Sequence, residues 1–490
     1  ESSLIVLLRS FSTDEIRSFE KFVSSPFYNT QQPVSRLVSA LKGYHPEFDS
    51  PNMTKEFLFS RANPGREYDD TLFRKYMSNL LKLAEEYLIV VDVSSQPDRK
   101  QTFLLDQFER RNQFNLFNRL LEKIENRDSK TDLITNESFY LKHFREELKT
   151  SCAIRNSKLH NLRPSLMKSH IYLLLHELLT STVYGNMMLV NTKSFKESEN
   201  SVIFDDFFQV FELIGYLEGS EFLDDSEKDF VELCRHDFIL MRDPSNTGSL
   251  VHMRNSILGL SDKMSKNMLY IFFSHLNIFY LLNISGGNEK LSEDLLQNYK
   301  FMVDNDLYRN AEREYINFSE YRTILLHSFR MKETDFAEKL IEKFRYVHSP
   351  DQRKEILNYS YAVLNFEKGN YDESLRYLTK LKADNIIMKL DCEVLRIMIF
   401  YEKDFIENAV SAVEAFRYYT KNNGFLSKDV VRSQAEFARI TSFLIKHKHD
   451  GITDYEYQKT LREIESSTLL RRKIWLISKL RELKQKKAED

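Results

Sequence analysis

At 490 residues the chain is long enough for several domains, but its 12 Gly and 9 Pro are too few for the turns of a strand-rich protein. A net charge of −3 with 29% charged residues provides no overall field that would draw the chain to nucleic acid or an anionic membrane. Three cysteines, far apart and odd in number, argue against a disulfide framework and point to a reducing, cytoplasmic setting. The expectation is an all-α chain whose 37 Phe and 25 Tyr fill the seams between packed helices.

In chain order, the apolar opening through Arg9 is too short for the core of a secretory leader. Ser12-Thr-Asp-Glu15 is a capping box that starts a helix through Ile16, Phe19, Phe22 and Val23, stopped by Pro26. Helices are predicted at about 32–44, from about 55, and over 70–88, where Leu72, Tyr76, Leu80, Leu83 and Tyr87 share a face. The β-branched run Tyr87–Val93 reads as strand-like. Preceded by the turn Asn63-Pro-Gly65 and the basic face of Arg74, Lys75, Asn79 and Lys82, it resembles a helix-turn-helix with the start of a wing. Asp69, Asp70, Glu85 and Glu86 balance those bases, as on any solvated helix face. Ser94–Asp98 is linker-like and closes a first module of residues 1–95.

Successive helices follow at 101–126, 137–153, 164–184, 202–217 and 226–241, the fourth with a stripe of Ile203, Phe207, Phe211, Ile214 and Leu217. Breaks fall at Asp243–Gly248 and Ser285–Asn288, within a second module of 101–310. The apolar runs Met268–Leu282 and Ile171–Val190 are interrupted by polar residues and are expected to be interior helices rather than membrane spans. Residues 150–176 hold four Lys/Arg and no acid, whereas 197–234 hold 12 acids and one base, Lys228. The two segments suit attraction between neighbouring helices, or self-association of the chain.

The last module, 311–490, carries an internal repeat. Asp335-Phe336, Asn370-Tyr371 and Asp404-Phe405 recur at spacings of 35 and 34, each between two stretches with apolar residues three and four apart. Gly369 stands where a helix must end. With its Lys368-Gly-Asn-Tyr371 turn followed by Asp-Glu-Ser, the chain resembles the tetratricopeptide repeat family over about residues 318–424. The resemblance implies a right-handed α-solenoid of stacked antiparallel hairpins. In that family small residues stand three places after the turn aromatic and nine before it. Ser374 and Ala362 obey, but Lys339 and His327, and Asn408 and Arg396, do not, while Ala409 suggests a third unit shifted by one. Thr453-Asp-Tyr-Glu456 caps a last helix pair, and Arg471–Lys487 sets eight bases above an apolar stripe, as a capping helix would.

No phosphate cradle, dinucleotide fingerprint or zinc motif is present, and His447 and His449 stand alone on a polar stretch. Cys152, with His143 and His160 nearby in sequence, and Cys234, with His236, read as buried small hydrophobes. Asp205-Asp206 and Asp224-Asp225 serve helix starts. No catalytic residue, cofactor or metal is therefore expected. The function expected is a non-enzymatic adaptor or scaffold for a protein or peptide, with Tyr321, Asn358, Tyr361 and Asn365 as candidate contacts on the leading helices. The alternative is a nucleic-acid-associated regulator with a DNA-reading first module and a carboxy-terminal sensor.

Overall fold

The computed structural model describes residues 2–131, 133–135, 137–156, 162–194, 210–309, 315–349, 351–382, 385–467, 470 and 472–489. Among them the fold is all-α, and the one β feature is an isolated bridge between Ile134 and Met264. The chain divides into two compact units, Glu1–Asn126 and Arg127–Asp490. The first unit therefore runs past the expected boundary at 95.

The first unit holds α1 (Ser3–Arg9), α2 (Thr13–Ser24), α3 (Gln32–Lys42), α4 (Lys55–Ala62), α5 (Asp70–Ser95), α6 (Pro97–Arg110) and the start of α7 (Phe114–Thr131). The Ser12 capping box forms, with Glu15 reaching back to the Ser12 backbone. The expected linker at 94–98 is instead a tight joint: Gln96 separates α5 from α6, and Pro97 takes a first-turn position where its missing N–H costs nothing. The expected wing does not form, because Tyr87–Val93 continues α5. The stripe of Tyr76, Leu80, Leu83 and Tyr87 decides this. It carries Tyr87 into a cluster with Phe11, Phe19 and Phe22, at ring-centroid distances of 5.8, 5.4 and 5.5 Å. Burying those rings outweighs the modest β preference of the valines and isoleucine.

The second unit continues with α8 (Ser138–Arg155), α9 (Leu162–Ser194), α10 (Val210–Glu218), α11 (Asp225–Arg242), α12 (Thr247–Gly259), α13 (Lys266–Ser285) and α14 (Ser292–Asp304). Of the predicted 202–217 helix, Ile203 and Phe207 lie outside the described residues, as do Asp205 and Asp206. Helix α9, with Arg163 and Lys168, contacts α10 and α11, which carry the described part of the acidic segment. Asp224 caps α11 in a capping box with Glu227. Helix α13 is long and apolar enough to cross a bilayer by length and composition, yet 61% of its most apolar stretch is buried within the fold. Its polar residues are bonded there: His275 donates to Asp237 on α11 at 2.8 Å, and Asn186 on α9 donates to the same carboxylate at 3.0 Å.

Three hairpins follow: α15 (Phe318–Arg330) with α16 (Thr334–Phe344), α17 (Arg353–Glu367) with α18 (Tyr371–Leu378), and α19 (Ile386–Glu402) with α20 (Ile406–Asn422). Each leading helix ends in the same way. A left-handed residue stands at Lys332, Gly369 and Asp404, with φ of 61°, 78° and 62°. The next N–H bonds back to Ser328, Asn365 and Phe400, closing the helix end. Five residues on, a small side chain is fully buried in every unit: Ala337, Ser374 and Ala409. The structural repeat is thus 37 and 35 residues long. Phe336 lies two places late and Phe405 one place early relative to Tyr371, so the buried small residues of the outer units are Ala337 and Ala409 rather than Lys339 and Asn408.

Leading helices also contact leading helices, α15 with α17 and α17 with α19. Arg322 forks onto Asp391, whose Oδ2 also accepts from Tyr359 at 2.8 Å, so one polar knot ties α15, α17 and α19. Helices α21 (Lys428–Lys446), α22 (Asp454–Ser466) and α23 (Lys473–Glu489) follow. The Thr453 capping box forms, and Trp475 of α23 donates to Glu402 at 2.6 Å while its ring meets Tyr401. Lys479 and Lys484 of the basic tail pair with Glu402 and Asp454.

The three equivalent closures give a graded expectation. Gly369→Ala should cost about 1 kcal/mol, because only glycine adopts that backbone freely, whereas Lys332→Gly should be neutral or stabilise by a few tenths. Urea unfolding of the two variants checks the order.

Candidate functional site

The four adaptor candidates do not share one fate. Tyr321 is fully buried; Ser360 gives its own proton to the Ile356 carbonyl and accepts from the Tyr321 hydroxyl at 2.8 Å. It packs α15 onto α17 and presents nothing to a partner in this arrangement. Asn365 is half-buried and donates to the Tyr361 carbonyl at 2.8 Å, bracing the end of α17. Asn358 keeps its amide nitrogen buried without an acceptor among the described residues. Tyr361 alone reaches into a surface group.

That group is built from α16, α17, α18 and the turn after α16. Tyr361 donates to Glu342 at 2.9 Å and stacks on Tyr377, with centroids 5.3 Å apart. Burial and the Glu342 bond push the Tyr361 phenol up, so it stays a donor. Glu342 in turn meets Arg345 at 3.5 Å. Tyr346, 71% exposed, lies beneath the guanidinium groups of Arg345 and Arg353, at 6.0 and 5.6 Å. Lys380 and Arg376 stand over Tyr377 at 4.9 and 5.9 Å. Arg353 also donates to the Tyr346 and His348 carbonyls, which sets the turn that displays Tyr346. The result is a patch of tyrosine rings with four cations on them and two carboxylates, Glu342 and Glu373, bonded among them. Such a surface offers flat apolar area with a positive rim.

Sequence reasoning found Tyr361 but missed Tyr346, Tyr377, Arg345 and Lys380. Their spacing has no single period, because three helices and a turn contribute. Only the local excess of Tyr and Arg/Lys between 345 and 380 marks the place.

Elsewhere, Arg74 pairs with Asp70 at 2.8 Å and Asn79 donates to Gln31 at 3.2 Å, whereas Lys75 and Lys82 are exposed on α5. The three cysteines are buried, and burial raises Cys234 and pushes Cys392 up to about 12, so these thiols stay protonated. His449 meets Asp404 at 3.4 Å, and the His447 ring packs on Phe443. Among the described residues the metal-type donors that converge are Glu232, His236 and His252, a set no local motif marks.

No family model, no curated protein and no solved structure matches this chain.

Proposed function

We propose that this chain is a non-enzymatic adaptor: a tetratricopeptide-like α-solenoid whose surface holds a protein or peptide segment. The observation that carries the reading is the threefold recurrence of one hairpin design. The same left-handed closure, the same buried small residue five places on, and leading helices in mutual contact are what stacked repeats need, since a lone hairpin cannot bury its apolar face. The Tyr346–Tyr361–Tyr377 patch is the binding surface in this reading. Its partner is an acidic segment carrying an aromatic or aliphatic anchor, because the rings supply area and Arg345 and Lys380 supply charge.

Selection from a random peptide library displayed against the full chain tests this. Acidic sequences with an apolar anchor should be enriched. Tyr377→Ala should weaken the selected peptides by about thirtyfold, the loss of a central aromatic contact worth about 2 kcal/mol. Enrichment that survives both Tyr346→Ala and Tyr377→Ala would remove the patch from the proposal.

A further inference from the structure

We infer that Glu232, His236 and His252 form a site for a divalent transition-metal ion of the zinc class, bridging α11 and α12. The adaptor reading does not require this site. Glu232 and His236 stand four apart on α11 and so share a face. Helix α12 packs on α11 and lays the His252 ring over that of His236, with centroids 4.8 Å apart and planes within 4°. One donor atom from each of the three residues lies within 4.8 Å of the others.

The surroundings fix the direction of the site. Ser249, at the start of α12, stands 3.2 Å from His236 Nδ1. With Nδ1–H donated to that hydroxyl, the lone pair is on Nε2, the nitrogen 3.8 Å from Glu232 Oε1. Orienting an imidazole through its second nitrogen is how metal-binding histidines are usually held. Arg235, next to His236 in the chain, is forked onto Glu218, so its charge is offset.

Two imidazoles and a carboxylate suit zinc, nickel or copper and do not suit calcium or magnesium, which take oxygen ligands. Metal–ligand bonds of about 2.0–2.2 Å at a tetrahedral angle set donors about 3.3 Å apart, so the Glu232–His236 pair must close by about half an ångström. Parallel rings aim their lone pairs side by side rather than at one point. Capture therefore requires His252, which is exposed, to turn out of the stack. Glu232, with its side chain 55% exposed, leaves the fourth position to water.

Titrating zinc chloride into the full chain near neutral pH, by calorimetry, tests the inference. One ion should bind per chain, and cobalt in its place should give the visible absorption of a low-coordinate site. His252→Ala, at an exposed position, should abolish that equivalent while the helical circular dichroism is unchanged. Ser249→Ala, which removes no ligand, should weaken binding by about tenfold or more. His449→Ala should change nothing. Absence of a stoichiometric zinc equivalent, or one that survives His252→Ala, would overturn the assignment.

Discussion

Asp391→Ala should lower stability by about 3–5 kcal/mol, the cost of leaving a buried guanidinium without its counter-charge. Arg322 and Asp391 are only 13% and 14% exposed at their side chains, and Arg322 has its Nη2 at 2.6 Å from Oδ1 and its Nε on Oδ2. Burial alone would raise the Asp391 carboxyl; the Arg322 charge and hydrogen bonds outweigh it and hold the group below its usual range. The loss should be read as a lower urea midpoint with the slope retained. Arg322→Met together with Asp391→Leu should restore most of it, because replacing both partners of a buried pair by apolar groups is often neutral. If the single and double variants are equally destabilised, the knot acts by shape rather than by charge.

Acid should weaken the same region through His348. Its side chain is fully buried against Tyr321, with centroids 4.5 Å apart, and neither ring nitrogen has a hydrogen-bond partner among the described residues. Burial, with the Arg353 charge, holds it down at about 4 against an ordinary 6.5. The folded chain keeps this ring neutral while the unfolded chain binds a proton below 6.5, so stability is full above that pH and falls as pH drops towards 4. The whole span corresponds to about 3 kcal/mol. His348→Leu should flatten the acid limb of a stability–pH curve between those values. An unchanged slope would show that the ring is protonated in the fold.

Much of the helical framework was legible in the residues themselves. Ser12 with Glu15 and Thr453 with Glu456 mark helix starts by chemistry that works locally, and both boxes form. The breaks expected at Asp243–Gly248 and Ser285–Asn288 mark the α11–α12 and α13–α14 joints for the same reason, although Thr247 and Gly248 already open α12 and Ser285 closes α13. What depended on distant partners was not legible. The Tyr87–Val93 run has strand-like composition, and only the cluster with Phe11, Phe19 and Phe22 makes it helix. The aromatics mark the repeat register only to within two residues, because the geometry the units share is a left-handed residue that lysine and aspartate occupy as well as glycine. Tyr321 stands at a position equivalent to Asn358, eleven residues before the left-handed one, yet it is spent on Ser360 across the hairpin seam. Of the candidate surface, Tyr361 was in view and its neighbours were not, since only folding brings 345, 346, 377 and 380 together.

Peptide selectivity after charge reversal at the tyrosine patch tests the adaptor reading most directly. Arg345→Glu with Lys380→Glu replaces two exposed cations that stand over Tyr346 and Tyr377. The native chain should prefer acidic over basic anchored peptides of equal length, with affinity falling as salt rises, and the reversed chain should lose that preference by at least about tenfold. Identical selectivity in the two proteins, with both fully folded, would contradict the account.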